Sequence, residues 1–301
     1  MIIAEMKGGL GNQMFQYAFA KSLALRNNAS LKIDATDYVH TVGDPKKGIR
    51  LFGLRYFNIE AGEATAEDLQ KFSPYRSAGF LGSIRRYLNT FGDYRKKKFI
   101  IEPKDNFFSF DGKMISQPIK EDVYVSGFWQ SEEYFRDYSE AIRKQLSVAG
   151  SPEGKNKEAL EKIKEQNSVA IHVRHGDNAT AIAKSHGVLP MDFYKKAIEQ
   201  IKNRVSDPVF YVFSDDIEWA KENLPKVDAM IAVDWNGDDK NHEDMRLMSA
   251  CKHHIIANST FSWWGAWLGF HKDQLVFAPK KYHQEGTVER RDFYPKTWNI
   301  L

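Results

Sequence analysis

The sequence predicts an α/β fold with parallel sheets that carry helices on both faces. In the second half, apolar strands of about five residues, such as SVAIHV, VFYVF and HHIIA, alternate with helices. The first half opens with a strand from Ile2 to Met6, the turn GGLGNQ, a helix beginning near Met14, and a strand from Leu31 to Asp34. This order is typical of doubly wound sheets, in which ligands bind at the carboxyl ends of the strands.

The chain is long enough for two such sheets. With 301 residues, it can form two domains of roughly 150 residues that each bury a core. The segment from Ala149 to Lys157 has the composition of a turn and is the expected linker. We therefore predict an N-terminal domain over 1–150 and a C-terminal domain over 151–301. The pattern of the second domain predicts helices ending near Gln166, from Met191 to Val205, from Ile217, from Glu243 to Cys251 and from Phe261 to Gly269, alternating with the strands SVAIHV, VFYVF, AMIAV, HHIIA and QLVFA.

Composition and charge exclude several classes of protein. Apolar residues make up 42% of the chain and charged residues 28%, which is typical of a folded soluble protein. The 43 basic and 40 acidic residues are too evenly balanced for a protein that neutralises nucleic acid. A single cysteine, Cys251, excludes an intrachain disulfide and favours a reducing compartment. Because no stretch approaches ~20 apolar residues and the N-terminus resembles a strand rather than a signal peptide, we expect a cytoplasmic protein.

The strand SVAIHV leads directly into HVRHGD, which places His172, Arg174 and Asp177 at its carboxyl end. An arginine there offers a planar fork of donors that suits a diphosphate and the charge on a departing nucleoside diphosphate. The alternative is an ion pair between Arg174 and Asp177 that braces a loop. A histidine such as His172, taken alone, is more often a hydrogen-bonded core residue than a ligand contact.

The strand HHIIA ends in Asn258, Ser259, Thr260, Phe261 and Ser262, and a helix follows at once. Hydroxyl groups and unbonded backbone amides at a helix N-terminus form a ready anion site. An ordinary helix cap is the alternative, because serine and threonine commonly fill that position.

The helix before HHIIA carries Asp244 on the same stripe as Leu247 and Cys251. A buried carboxylate needs a partner, and the N1 and N2 donors of guanine match it, although an acid that stabilises the first helical turn explains the position equally well. Asp215 and Asp216 resemble a metal-binding pair, but adjacent side chains diverge and an aspartate before a helix is commonly a cap. We therefore assign no metal.

The turn GGLGNQ, followed by Asp34 at the end of the next strand, imitates a dinucleotide-binding fingerprint. That fingerprint requires a third small residue where Met14 stands, which weakens the interpretation as a nicotinamide site. Gly9 and Gly11 still allow a ligand to approach the backbone, with Asn12 as an amide that could contact it.

Five segments together resemble the α-1,2-fucosyltransferase family: GGLGNQMFQYA, GFWQSEEYF, HVRHGD, FSDD and DMRLMSACKHHIIANSTFSWWGAWL. The resemblance implies an inverting enzyme that transfers L-fucose from GDP-fucose to the 2-hydroxyl of a terminal galactose. It also implies two facing Rossmann-like domains in a GT-B-like arrangement, with the acceptor on the side of 1–150 and the donor in 151–301. Members generally need no metal, so we expect no cofactor.

The resemblance also implies roles for single residues. Arg174 contacts the donor diphosphate beside His172, Asp244 reads guanine, and Gly9 to Asn12 closes over the donor from the other domain. The candidate donor-binding residues are Gly9, Leu10, Gly11, Asn12, His172, Arg174, Asp244, Asn258, Ser259, Thr260, Phe261 and Ser262, and the candidate catalytic residues are Arg174, His175 and Asp177. His175 stands where the family often has a second arginine. His175 and Asp177 are possible bases by position alone, and a route in which the departing phosphate accepts the proton needs neither.

Two other functions remain open: a nicotinamide-dependent oxidoreductase that uses GGLGNQ and Asp34, and a non-catalytic glycan-binding module. A peripheral membrane contact is also open. Between Arg76 and Phe99, apolar residues recur at helical spacing (Phe80, Leu81, Ile84, Tyr87 and Leu88) beside basic ones (Arg85, Arg86 and Arg95 to Lys98). Such a stripe either lies on an anionic membrane or packs against the N-terminal domain with a solvated basic rim.

Overall fold

The computed structural model describes residues 1–39, 51–76, 79–90, 97–102, 109–116, 118–119, 121–175, 187–280 and 292–301. The described residues form two compact units. Unit 1 comprises Met1–Leu146 with Val288–Tyr294, and unit 2 comprises Ser147–Thr287 with Pro295–Leu301. All strand pairs in both sheets are parallel among these residues. The predicted α/β fold with parallel sheets is therefore confirmed, whereas the facing GT-B-like arrangement and the domain boundary at residue 150 stay predictions.

Unit 1 is built on a sheet whose described strands follow the order β3–β2–β1–β5–β4. The strands are β1 (Ile2–Glu5), β2 (Leu31–Asp34), β3 (Gly62–Glu63), β4 (Phe99–Ile101) and β5 (Val123–Ser126). The helices are α1 (Leu10–Arg26), α2 (Thr36–Val39), α3 (Ala66–Gln70), α4 (Ser73–Arg76), α5 (Phe80–Thr90), α6 (Lys113–Ser116) and α7 (Ser139–Gln145). The winding direction reverses between β1 and β5, and such a reversal opens a crevice at the carboxyl ends of the two strands.

Helix α1 begins at Leu10, four residues before the predicted start near Met14. Gly8 has a φ of +79°, a conformation that favours glycine, and Gly9 is the N-cap. The side chain of Gln13 then donates to the Gly8 carbonyl at 3.0 Å and accepts from the Gly53 amide at 2.9 Å. GGLGNQ is thus a tight turn followed by the first turn of a buried helix.

Unit 2 is built on a sheet whose described strands follow the order β11–β10–β9–β6–β7–β8. The strands are β6 (Asn167–Val173), β7 (Pro208–Ser214), β8 (Met230–Ala232), β9 (His253–Ile255), β10 (Val276–Ala278) and β11 (Asn299–Ile300). The helices are α8 (Gly154–Glu165), α9 (Met191–Lys202), α10 (Ile217–Asn223), α11 (Asn241–Ala250) and α12 (Thr260–Leu268). This is the order of a doubly wound nucleotide-binding sheet, and its winding reverses between β6 and β9.

The core of unit 2 lies on both faces of β6, as expected for a parallel sheet covered by helices. Val169 and Ile171 pack with α9 on one face, and Ala170 packs with α8 and α11 on the other. Helix α12 approaches α11 closely because Gly265 has no side chain. A Cβ atom at Gly265 would lie 2.2 Å from Sδ of Met248.

The predicted linker from Ala149 to Lys157 is more ordered than its composition indicates. Helix α8 begins at Gly154, inside the predicted segment. Arg246 of α11 donates to the carbonyl oxygens of Val148, Ala149 and Gly150 at 3.3, 3.0 and 3.0 Å. The segment is therefore attached to unit 2.

Helix α5 contradicts one of the two alternatives left open by the sequence, that its apolar stripe packs against the N-terminal domain. Its large apolar side chains are exposed, and Phe80 retains 80% of its accessible surface. Lys97, assigned from the sequence to a basic rim, is buried, and Arg95 and Lys96 lie outside the described residues. Within the described ranges, no helix is long and apolar enough to cross a membrane.

Candidate functional site

Arg174 lies directly after β6, beside the point where the sheet of unit 2 reverses its winding. Its Nε is 3.0 Å from Oδ2 of Asp215, which follows β7, and the other carboxylate oxygen of Asp215 accepts from the His175 amide at 2.9 Å. Neither terminal nitrogen of Arg174 has a partner among the described residues. Asp215 thus holds the Nε edge of the guanidinium, and the two terminal nitrogens are left available to a ligand. The alternative pair with Asp177 is not tested, because Asp177 lies outside the described residues.

His172 is the last residue but one of β6, two positions before Arg174, and it is buried. Its carbonyl accepts from the Tyr194 hydroxyl at 3.1 Å, and its ring lies 5.8 Å from that of Phe261 at the start of α12. Burial holds the pKa of His172 well below its usual value, against the opposing charge of Asp215 and together with that of Arg174, so the ring is neutral at physiological pH. Its buried Nδ1 has no hydrogen-bond partner among the described residues. His172 is therefore not an ordinary hydrogen-bonded core histidine, and a ligand is one explanation for the orphaned nitrogen.

His175 is held by α10, the helix after β7. Its Nδ1 lies 2.8 Å from Oδ2 of Asp216, and its ring stacks on Trp219 at 4.3 Å between centroids. When Nδ1 donates to Asp216, Nε2 is left as the basic nitrogen of the neutral ring. Asp216 also caps α10 by accepting from the Trp219 amide at 3.1 Å, and this bond, followed by His175, lowers the pKa of Asp216. Asp216 is thus a cap, as its position predicts, and among the described residues no group of three or more acidic, histidine or cysteine side chains could hold a metal ion.

The N-terminus of α12 lies at the carboxyl end of β9, across the winding reversal from β6. Ser259 is the N-cap and its hydroxyl accepts from the Phe261 amide at 3.3 Å. Ser262 donates its hydroxyl to the Ser259 carbonyl at 3.3 Å, and Asn258 donates to the Gly187 carbonyl at 3.3 Å. Ser259 and Ser262 therefore form hydrogen bonds within the turn itself, whereas Asn258 attaches the turn to the segment at Gly187. What this turn offers an anion is the positive end of the α12 dipole, with Thr260 at the first helical position.

Asp244 lies in the first turn of α11 and is partly buried. Its Oδ1 accepts from the Asn236 amide group at 2.8 Å. Asn236 and Asn156 exchange side-chain hydrogen bonds at 2.8 and 3.0 Å, and the Trp235 indole donates to Asn156 at 2.7 Å. Burial raises the pKa of Asp244 to about 7, against the opposing hydrogen bond from Asn236. One oxygen of Asp244 is therefore fixed, and the other has no partner among the described residues.

Asn156 and Asn236 are functional candidates that sequence reasoning missed. Asn156 lies in the first turn of α8, within the segment that the sequence predicts as a linker, and Asn236 lies in a loop, so neither falls on an element that the sequence predicts. Asn156, Asn236 and Asp244 form one chain of hydrogen bonds, although they come from three separate segments of the sequence. The sequence contains no motif that brings these segments together.

The first turn of α1 in unit 1 is supported by the GFWQ turn that follows β5. Gln130 donates to the side chain of Asn12 at 2.9 Å. The buried carboxylate of Glu102 accepts from the amides of Phe128 and Trp129 at 2.6 and 3.1 Å, which orders that turn. Asn12 and Gln130 thus lie at the winding reversal of unit 1. Whether Gly9 to Asn12 contacts the donor stays a prediction.

Asp34 does not have the surroundings of a ribose-binding acid. It is buried, with Oδ2 2.9 Å from the Arg76 guanidinium and 2.6 Å from the Tyr124 hydroxyl. Its other oxygen accepts from the Thr36 hydroxyl at 2.7 Å. Both carboxylate oxygens already have protein partners, so the residue that the nicotinamide alternative requires is used to hold unit 1 together.

Comparison with known proteins identifies the family. A model of glycosyl transferase family 11 matches residues 1–301. The chain belongs to glycosyl transferase family 11. It is 33% identical to an alpha-1,2-colitosyltransferase from Escherichia coli, over 99% of this chain and 98% of the relative. It is 26% identical to galactoside 2-alpha-L-fucosyltransferase Sec1 from Mus musculus, over 89% of this chain and 64% of the relative.

A solved structure shares the fold of this family 11 member. It is an FUT1 mutant from Arabidopsis thaliana in complex with GDP, with a TM-score of 0.51 and 13% identity, over 92% of this chain and 70% of that one. The match to the family model and to these relatives shows that the chain is a glycosyltransferase, and it confirms the resemblance to α-1,2-fucosyltransferases at the level of the family. The nicotinamide and non-catalytic alternatives do not agree with this membership.

Proposed function

We propose that this chain transfers L-fucose from GDP-fucose to the 2-hydroxyl of a terminal galactose, with inversion at the anomeric carbon. The observation that carries the proposal is the pair of donor-facing groups in unit 2. Arg174 is held at Nε by Asp215 with its fork unbonded among the described residues, and Asp244 is held at Oδ1 by Asn236. A diphosphate and a guanine are the two chemical groups that these arrangements match.

In the proposed reaction, the galactose oxygen attacks the anomeric carbon and the bond to the β-phosphate oxygen breaks. Arg174 and the N-terminus of α12 stabilise the negative charge that develops on the departing GDP. The proton of the hydroxyl passes to Nε2 of His175, to Asp177, or to the departing phosphate. Because protein groups supply the positive charge, the proposal needs no metal or other cofactor.

A second donor is favoured by one comparison. The Escherichia coli relative with 33% identity is named as a colitosyltransferase. Colitose differs from fucose by the absence of the 3-hydroxyl, so the two donors differ at that one position of the sugar. Fucose remains the donor proposed here, with support from the name of the mouse relative.

A donor screen tests the proposal. The purified chain is incubated with a β-galactoside and, separately, GDP-fucose, GDP-colitose, GDP-mannose or UDP-galactose. We expect the highest kcat/KM with GDP-fucose, and preference for GDP-colitose would transfer the assignment to the second donor. Thermal melting with GDP and with NAD adds a binding readout, because a ligand at 100 times its Kd stabilises the fold by about 2.7 kcal/mol. Stabilisation by NAD and not by GDP would contradict the proposed donor site.

A further inference from the structure

Helix α5 of unit 1 presents its apolar face to solvent. Phe80, Leu81 and Leu88 retain 80%, 68% and 61% of their accessible surface, and Ile84 and Tyr87 are also exposed. These five residues, here called the α5 stripe, recur at helical spacing along one side of the helix. Contiguous apolar surface of this kind is rare on a protein that contacts only water, and it marks a site of association.

The opposite, polar face attaches α5 to the rest of unit 1. Gly82 is buried, Arg86 donates to the Tyr75 carbonyl at 2.6 Å, and Asn89 donates to the carbonyl of Phe99. Beneath the helix, Phe72 and Phe99 already belong to a closed apolar cluster. The helix is thus anchored by hydrogen bonds with its apolar residues outward, the reverse of an ordinary surface helix.

The sequence around helix α5 is strongly basic. Between residues 76 and 101 the sequence contains seven basic residues (Arg76, Arg85, Arg86, Arg95, Lys96, Lys97 and Lys98) and one acidic residue (Asp93). Helix α5 itself contains no acid. Among the described basic residues, Arg85 is exposed beside the stripe, and the Lys98 side chain retains 59% of its accessible surface and lies 3.9 Å from Glu121.

We propose that α5 lies in the plane of an anionic lipid surface, with the α5 stripe inserted below the headgroups and the exposed Arg85 on the lipid phosphates. An 11-residue helix is about 16 Å long, which suits an interfacial position and is too short to span a bilayer. Charge argues against a second copy of this chain as the occupant, because two such faces would bring like charges together. This surface is additional to the proposed transferase function and does not depend on it.

Vesicle flotation of the full chain tests the proposal. We expect binding to vesicles of phosphatidylcholine with 30% phosphatidylglycerol, weaker binding to pure phosphatidylcholine, and loss of binding in high salt. The double variant Leu81→Ser/Leu88→Ser should lower affinity for the anionic vesicles at least about tenfold. The matched control is Phe270→Ser, which removes a side chain that is 73% exposed in unit 2 and should bind normally.

Two variants that each remove one positive charge test whether the lipid contact is specific to α5 or reflects the overall charge of the protein. Arg85→Gln should weaken binding about fivefold, since each basic residue near an anionic surface contributes about that factor. Lys157→Gln, an exposed change on α8, should leave binding unchanged. Melting curves of all variants confirm that they fold.

Three results would overturn the proposal. One is wild-type protein that stays unbound with the anionic vesicles at low salt, and another is an equal loss of binding in the Phe270→Ser control. The third is a concentration-dependent dimer, seen by light scattering, that the α5 variants abolish while vesicles bind no protein. That third result would assign the α5 stripe to a second copy of the chain.

Discussion

Replacing Asp244 by asparagine is expected to weaken GDP binding and to remove much of its dependence on pH. Burial raises the pKa of Asp244 to about 7, from an ordinary value of 3.8. Only the ionised carboxylate accepts hydrogen bonds from both N1 and N2 of guanine. Guanine and a proton therefore compete for Asp244 below pH 7, and Glu243, the neighbouring acid, acts in the same direction by raising this pKa further.

The size of the effect follows from that pKa. At pH 5, about one molecule in a hundred carries ionised Asp244, so affinity for GDP should fall about 100-fold, or about 2.7 kcal/mol. Above pH 8 this loss disappears. At that pH, Asp244→Asn should bind GDP about 1.5 to 3 kcal/mol more weakly than wild type, the usual value of a hydrogen bond to a charged group.

Calorimetric titration with GDP at pH 5, 6, 7 and 8 provides the measurement. The terminal phosphate of GDP itself loses a proton near pH 6, so the informative quantity is the ratio of wild-type to variant affinity at each pH. Glu243→Gln is the matched control, because it removes the neighbouring carboxylate and leaves Asp244 in place: GDP binding should still weaken at low pH, with a midpoint moved downward since the Glu243 charge no longer raises the pKa of Asp244. A ratio that stays constant from pH 5 to 8 would refute the assignment of guanine to Asp244.

Four further outcomes follow from the site and the fold. Arg174→Ala should lower kcat/KM at least about a hundredfold with an unchanged melting temperature, and Arg174→Lys should also be poor because a point charge cannot replace the fork; near-normal turnover would contradict this role. Asn236→Ala should weaken GDP binding and move the pH midpoint upward in the same titration, because the lost hydrogen bond favours ionised Asp244. Activity should persist in excess chelator, and an absolute requirement for manganese or magnesium would disprove the metal-free mechanism. Gly265→Ala should cost about 1 to 3 kcal/mol in urea unfolding, since the new methyl group meets Met248; an unchanged midpoint would mean that the two helices can separate at no cost.

The alternation of strands and helices predicts unit 2 closely because its strands are short, apolar and bounded by turns. Strands β6 and β7 extend one residue or less beyond SVAIHV and VFYVF at each end. In unit 1, the start of α1 is displaced because glycines at positions 9 and 11 conceal a first helical turn whose stability comes from the side chain of Gln13. Local helix propensity does not include the hydrogen bonds of Gln13, because one of its partners, Gly53, is distant in the sequence.

The sequence likewise predicts some residues of the candidate site and not others. Arg174 and the turn before α12 are visible in the sequence because strand ends in a doubly wound sheet converge. The partners of the ligand-binding candidates are not visible in the sequence, because they belong to other elements. Asp215 contacts Arg174, and Asn236 contacts Asp244. Periodicity likewise identifies the α5 stripe but carries no information on whether the stripe faces the core or the solvent, because hydrogen bonds at Arg86 decide it.

Determination of the product by NMR tests the central claim most directly. The chain is incubated with GDP-fucose, in which fucose is β-linked, and a β-galactoside acceptor. We expect one new anomeric signal of an α-linked fucose and a through-bond or nuclear Overhauser connection from it to position 2 of galactose. Fucose attached at another hydroxyl, fucose in the β configuration, or no fucosylated product while another donor is consumed would contradict the claim.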